Sequence, residues 1–268
     1  MTPCSSLCRK KDMDQGIRLD SLTYSVDHRK ILENVSLFVK KGVNRTILGA
    51  SGVGKTTILK LMLGLLKPDS GTVSIDGRLL AGLSEQDLIE VRSRIAIVFQ
   101  GGALFDSMTV GENVGYRLLE KRLPMSGIEQ IVREKLAFVG LEDTIDRYPA
   151  QLSGGMKKRA AIARALASEP DYIFFDEPTT GLDPIGVYNI CHVIRLLQEQ
   201  GVTALIVTHD LETAFSVSDR FSFLHKARMV FEGTREQMLG SDLPSIREFL
   251  KPTTGSLFAA NRRPDAEG

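Results

Sequence analysis

Gly49-Ala50-Ser51-Gly52-Val53-Gly54-Lys55-Thr56 is the stretch that decides the fold. It fits G-x-x-x-x-G-K-[ST], a loop whose glycines let successive backbone N–H groups turn inward around phosphates. The flanks agree with such a loop. Thr46-Ile47-Leu48 reads as a short apolar strand entering it. Ile58, Leu59, Leu61, Met62, Leu65 and Leu66 recur at helical spacing after it, up to the breakers Lys67-Pro68-Asp69-Ser70-Gly71. A helix starting at the loop adds its positive dipole end to the anion site. Gly49, Ser51, Gly52, Gly54, Lys55, Thr56 and Thr57 are therefore the candidate contacts to a nucleotide. Lys55 suits the β- and γ-phosphates, and the Thr56 hydroxyl suits Mg²⁺.

Further along the chain, Tyr172-Ile173-Phe174-Phe175 is a continuous apolar run ending in Asp176-Glu177. A buried parallel strand reads this way, and its carboxyl end is where ligands of open α/β sheets bind. Asp176 is placed to hold Mg²⁺ through water, and Glu177 to orient or deprotonate an attacking water. Phosphoryl transfer needs mostly positioning and charge neutralisation, so this short set of groups suffices. Ala204 to Val207 is a second run of the same kind, and Ile95 to Phe99 a third strand. Strand-like alternation runs from Ile17 to Val39, broken by the polar Asp27-His28-Arg29-Lys30, and Arg220 to Phe231 reads as a hairpin. Val110 to Tyr148 is helical with short polar interruptions. Leu152-Ser153-Gly154-Gly155-Met156 opens a helix rich in alanine and arginine, with Ser153 as its N-cap. Its open backbone N–H groups make a second helix terminus suited to an anion.

The 268 residues carry a formal charge of +1, which disfavours a broad nucleic-acid footprint. No run approaches the roughly 18 apolar residues of a membrane-spanning helix. Met1 to Gly16 is polar and lacks a secretion signal's apolar stretch, so the expected location is cytoplasmic. Cys4, Cys8 and Cys191 are too few and scattered for a disulfide framework or a zinc site and are expected to be free thiols.

Taken together, the phosphate loop, Ser153-Gly154-Gly155 and Asp176-Glu177 resemble the nucleotide-binding subunits of ABC transporters. The resemblance covers about Ile17 to Leu250 with the motifs in family order. It implies an α/β P-loop ATPase: a RecA-like parallel-sheet core, an antiparallel β subdomain and an α-helical signature subdomain at about 106–165. Residues 1–16 are expected to be a disordered N-terminus, 17–250 the ATP-binding domain and 251–268 a C-terminal tail. Gln100 matches the family's Q-loop glutamine, a metal and catalytic position. Gly181-Leu182-Asp183 matches its D-loop, with Asp183 near nucleotide, and His209 its switch histidine. Tyr24 lies where the family stacks an aromatic ring on adenine. The resemblance further implies a second copy of the chain facing the first head to tail. ATP would then lie between one phosphate loop and the other copy's Ser153, Gly154 and Gly155.

The family signature usually ends in Gln, whereas this chain has Met156. Leu-Ser-Gly-Gly-Met resembles the Mla and Mce branch, which drives phospholipid transport. Phe99 to Ser107, Asp176 to Ile185 and Ile246 to Leu250 point the same way. That branch implies a peripheral place on the cytoplasmic face of the inner membrane. Its partners are an integral-membrane permease, an Mce-domain substrate-binding protein and a small regulatory subunit. Ala103-Leu104-Phe105 would line the cleft for the permease's coupling helix, and Pro252–Gly268 would either strap onto the partner ATPase or stay disordered. An importer subunit for a small solute such as an amino acid would share every ATP-handling residue. A soluble ABC ATPase acting on DNA, RNA or ribosomes fits less well. The interval Thr56–Leu152 has no room for a long coiled coil, and the chain has one cassette.

Overall fold

The computed structural model describes residues 15–121 and 123–259, apart from the side chains of 121 and 252–259. Ten strands are described: β1 Gly16–Val26, β2 Arg29–Lys40, β3 Arg45–Leu48, β4 Ser70–Ile75, β5 Arg78–Leu79, β6 Ile95–Val98, β7 Tyr172–Asp176, β8 Thr203–Thr208, β9 Arg220–His225 and β10 Arg228–Gly233. The α-helices are α1 Lys55–Met62, α2 Glu85–Ser93, α3 Val110–Gly115, α4 Met125–Phe138, α5 Gly154–Ala167, α6 Pro184–Glu199, α7 Leu211–Val217, α8 Arg235–Leu239 and α9 Pro244–Ala259. A 3₁₀ stretch, Tyr116–Lys121, follows α3.

The large sheet has the order β10-β9-β3-β8-β7-β6. Its strands from β9 to β6 are parallel, and β10 closes one edge as the antiparallel arm of a hairpin. Every residue of β7 and β8 is buried, as expected of central strands covered on both faces. Alternate side chains divide between two cores. Ala96, Val98, Ile173, Phe175, Ala204 and Ile206 pack beneath α3 to α6. Ile95, Tyr172, Phe174, Leu205 and Val207 pack on the other face with α1 and the four-stranded antiparallel sheet β2-β1-β4-β5. Alanines at 160, 161, 163, 165 and 167 line the inner side of α5 and let it lie close to β6. At the far edge, Ile246 and Leu250 of α9 join Phe221 and Phe223 of β9.

Two boundaries differ from the sequence expectations. The helical pattern predicted to Leu66 stops at Met62. Gly64 takes a left-handed φ of +63°, and the N–H groups of Gly64 and Leu65 return to the carbonyls of Leu61 and Lys60. This glycine closes the helix before the proline that was expected to end it. At the other end, the helical backbone of α9 continues past Leu250 to Ala259 instead of giving way at 251. Ile246 and Leu250 fix its first turns against β9, and the missing Pro252 N–H removes one bond without ending it. The expectations for residues 1–14, including Cys4 and Cys8, and for 260–268 lie outside the described residues. Cys191 is a buried free thiol.

Candidate functional site

The parallel order places four strand ends side by side. Leu48 of β3 pairs with Thr208 of β8, Val207 pairs with Asp176 of β7, and Phe175 pairs with Val98 of β6. The phosphate loop, His209, Asp176-Glu177 and Gln100 thus leave one sheet edge in neighbouring positions.

The loop itself is held tightly against its surroundings. Gly52 and Gly54 have φ of +75° and +112°, which only glycine adopts without strain. A Cβ on Gly49 would sit 2.5 Å from the carbonyl oxygen of Leu224 on β9. A Cβ on Gly54 would sit 3.1 Å from the Ile31 carbonyl oxygen. Lys55 is buried at 6% exposure, its ammonium donating to the carbonyls of Gly49 at 2.8 Å and Ala50 at 3.1 Å. The same Nζ lies 3.2 Å from Glu177 Oε1.

Glu177 is the junction of the cluster. Its other oxygen accepts the Thr208 hydroxyl at 2.9 Å and lies 3.0 Å from His209 Nδ1, with the Thr180 hydroxyl at 3.4 Å. Its N–H donates to Val207 at 2.9 Å, extending the strand ladder by one residue, while its φ of +50° is left-handed. A non-glycine residue held there stores strain, which clusters at functional positions. Burial alone would raise this carboxyl. The His209 hydrogen bond, the Lys55 charge and Thr208 outweigh burial and hold it below the usual carboxylate range. Asp176 goes the other way. Burial raises its carboxyl, and the hydrogen bond from Thr56 only partly offsets that. Thr56 Oγ1 donates across both oxygens of Asp176 at 2.9 and 3.1 Å.

The donors fit the groups that the motifs imply. No cluster of three or more His, Cys, Asp or Glu able to hold a metal by itself occurs among the described residues. One hydroxyl and one carboxylate are what a hard cation needs when phosphate oxygens and water complete its shell, the usual arrangement for Mg²⁺ beside a nucleotide. On β1, Tyr24 pairs with Leu32 of β2, whose side chain lies against Gly54 of the loop. Tyr24 therefore sits at the rim of the phosphate loop, half-buried on the core.

A second surface lies away from the loop. Ser153 caps α5 by accepting the Met156 N–H at 3.3 Å, and Asp183 caps α6 by accepting the Gly186 N–H at 2.7 Å. Ser153, Gly154, Gly155, Met156, Asp183 and Ile185 line one cleft of about 470 Å³. No phosphate-loop residue lines that cleft. One chain therefore presents two half-sites that do not close on each other.

A family model described as ABC transporter matches residues 32–180. The chain belongs to the ABC transporter family. This family member is 43% identical over 237 residues to the intermembrane phospholipid transport system ATP-binding protein MlaF of Haemophilus influenzae, covering 88% of this chain and 90% of that one. It is 40% identical over 240 residues to a probable ribonucleotide transport ATP-binding protein, mkl, of Mycobacterium leprae, covering 89% of this chain and 69% of the relative. Among solved structures, the cassette MJ0796, described as a dimer in a post-hydrolysis state bound to ADP and Pi, superposes with a TM-score of 0.75 at 33% identity. That match covers 81% of this chain and 98% of the other. The ABC fold expected from the motifs is the fold observed, and the chain is an ATPase of this transporter family.

Of the predicted site residues, the structure brings Gly49, Lys55, Thr56, Asp176, Glu177 and His209 into one bonded group, with Ser51, Gly52, Gly54 and Thr57 on the same loop and helix. Gln100 is exposed in the turn after β6, and no hydrogen bond from it to the carboxylates is described. Three residues that sequence reasoning passed over join the cluster. Thr208 and Thr180 donate to Glu177. Lys158 donates to the Thr180 carbonyl at 2.7 Å, and burial lowers its ammonium. Two threonines at strand and turn ends carry no pattern that marks them. Lys158 lies on the inner side of a helix otherwise lined with alanine, isoleucine and leucine, and that is the one signal that could have found it.

Proposed function

We propose that this ABC ATPase hydrolyses ATP with Mg²⁺ between two copies of itself and thereby drives phospholipid transport through an integral-membrane permease. The observation that carries the cargo is the 43% identity to MlaF over nearly the whole of both chains, with Met156 in the signature. The homodimer is supported by the dimeric cassette at 33% identity and by the two separated half-sites of each chain.

In this reading Lys55 and the N–H groups of the loop hold the β- and γ-phosphates. Thr56 and Asp176 would hold Mg²⁺ with Gln100 near it, and the ion would supply neutralisation of phosphate charge. Glu177 orients the attacking water and takes its proton. His209 and Thr208 fix that carboxylate, and Tyr24 stacks on adenine. Ser153, Gly154 and Gly155 of the facing copy present the N-terminus of α5 to the γ-phosphate, with Asp183 beside it. Loss of the γ-phosphate removes the anion joining the two faces, and the pair opens as rigid bodies.

Phe99 and Phe105 are exposed apolar side chains of the turn after β6, Tyr116 of the 3₁₀ stretch rests on Phe105, and with Leu104 they form the face we assign to the permease. No described helix is long and apolar enough to cross a membrane, so the chain would bind the cytoplasmic side of the inner membrane through that partner. An Mce-domain protein and a small regulatory subunit complete the proposed assembly. The test is to purify the tagged chain from its own membranes in mild detergent and identify what accompanies it. A multi-span permease, an Mce-domain protein and phospholipid support the assignment. A different permease with a solute-binding protein refutes the lipid cargo and favours small-solute import.

A further inference from the structure

Arg164 is a half-buried cation on α5, and it makes no ion pair among the described residues. Its guanidinium is committed elsewhere. Nη1 donates to the Ala103 carbonyl at 2.8 Å and Nη2 to the Gly102 carbonyl at 3.1 Å. The planar fork spans two consecutive carbonyls, which the single ammonium of a lysine cannot do in fixed geometry. Those carbonyls face it because Gly102 and Ala103 both adopt left-handed backbone, with φ of +74° and +50°. For Ala103 that conformation is strained, and the hydrogen bond from Arg164 is what holds its carbonyl in place. The turn is closed upstream by the Gly102 N–H donating to Phe99, which fixes Gln100 within it.

The same guanidinium lies over the Phe105 ring, 5.9 Å from its centroid. Phe105 is 43% exposed and leans on Tyr116 at 5.0 Å. Its backbone is clamped on both sides by the Asn113 side chain, which accepts from the Phe105 N–H and donates to its carbonyl. Arg164 thus touches the Gln100 turn and the apolar ring beside it. It does so from the helix whose N-terminus, about three turns away, carries Ser153 and the paired glycines. Burial pushes its guanidinium below the usual arginine range with nothing acidic to offset it. A residue needed only to fill this space could be apolar at no desolvation cost.

We propose that Arg164 is a positioning residue that ties the Gln100 turn and the Phe105 face to the signature helix. Movement at the surface offered to the permease and movement of the γ-phosphate-binding helix terminus are then one event. The permease side of this coupling rests on the transport assignment above. The tether itself belongs to this chain alone and is tested without a partner.

The chain has no tryptophan, so Phe105→Trp installs a single reporter against the guanidinium. The emission of Phe105→Trp is followed on adding ATP and Mg²⁺, and again with Arg164→Met and Arg164→Lys added, nucleotide affinity being measured in parallel. The expected result is an emission shift on ATP binding that Arg164→Met abolishes and Arg164→Lys cuts by at least half. Nucleotide affinity stays within about threefold, since neither variant touches the phosphate loop. An undiminished shift in Arg164→Met overturns the proposal. Should that variant not fold, an undiminished shift in Arg164→Lys does the same, and so does the lack of any shift in the Phe105→Trp parent. In membranes, Arg164→Lys is expected to lower kcat of the permease-bound ATPase about tenfold with KM unchanged. If the wild-type chain is not stimulated by any permease while the emission results hold, the transport assignment fails and the tether is supported.

Discussion

Glu177 and Asp176 are adjacent carboxylates that their surroundings push in opposite directions, and the difference can be measured. Glu177 sits below the usual carboxylate range, so its charged form favours the folded state. That contribution is complete above the unfolded value of about 4.5 and is lost as pH falls through the lower folded value. Urea unfolding of the wild type and Glu177→Gln should therefore differ most near neutrality and converge on acidification. A gap that widens toward acid would contradict the partners assigned to Glu177. Asp176 sits above its ordinary value, so its charge at neutral pH works against folding. Asp176→Asn, which removes that buried charge, is expected to raise Tm of the nucleotide-free protein. The same variant should lose Mg²⁺-dependent turnover. A lowered Tm would show that Asp176 is not a strained group kept for function. Neither opposing environment could be read from the adjacent letters Asp-Glu, because the partners come from elsewhere, Thr56 from α1 and Thr208 and His209 from the end of β8.

At the scale of elements, the phosphate loop is a strand-to-helix turn pressed against β9. Gly49→Ala would put a Cβ 2.5 Å from the Leu224 carbonyl. That contact needs a backbone shift, with an expected cost of about 1–3 kcal/mol in urea unfolding and weaker nucleotide binding. Unchanged stability would mean that the loop is freer than its contacts suggest. The loop, its flanking strand and the Asp176-Glu177 strand end were legible in the sequence because each is a local pattern whose chemistry demands particular neighbours. So was the Ser153 cap, which relies on a single side chain reaching three residues on, whereas the Asp183 cap emerged only from the structure. The end of α1 was not. Leu65 and Leu66 keep the helical period, and Gly64 overrides it through backbone conformation, with Leu65 left 54% exposed. The continuation of α9 was missed because the stretch from Pro252 shows no helical period, although the backbone stays helical to Ala259. Arg164 was visible only as one arginine in a basic helix. Its carbonyl partners lie about sixty residues away, and no periodicity reports them.

At the scale of the molecule, the two cores join one ATPase sheet to the two surfaces we assign to a permease and to a second copy of the chain. The apolar side chains around Phe105 form the surface assigned to the permease. Leu104→Asp and Phe105→Asp should leave nucleotide binding intact and abolish co-purification of the permease from membranes. Retained assembly in both variants would remove that surface from the account. The other surface is the Ser153 and Asp183 cleft, which lacks any phosphate-loop residue and so needs a second copy to complete an ATP site. Removing the Glu177 carboxylate, to which we assign water activation, should slow turnover by about 10² or more while leaving the proposed nucleotide contacts in place. The most direct measurement is therefore the mass of Glu177→Gln in solution by sedimentation, with and without saturating ATP and Mg²⁺. The account predicts a monomer that becomes a dimer on adding ATP, and a Glu177→Gln protein that stays monomeric with nucleotide bound would contradict it.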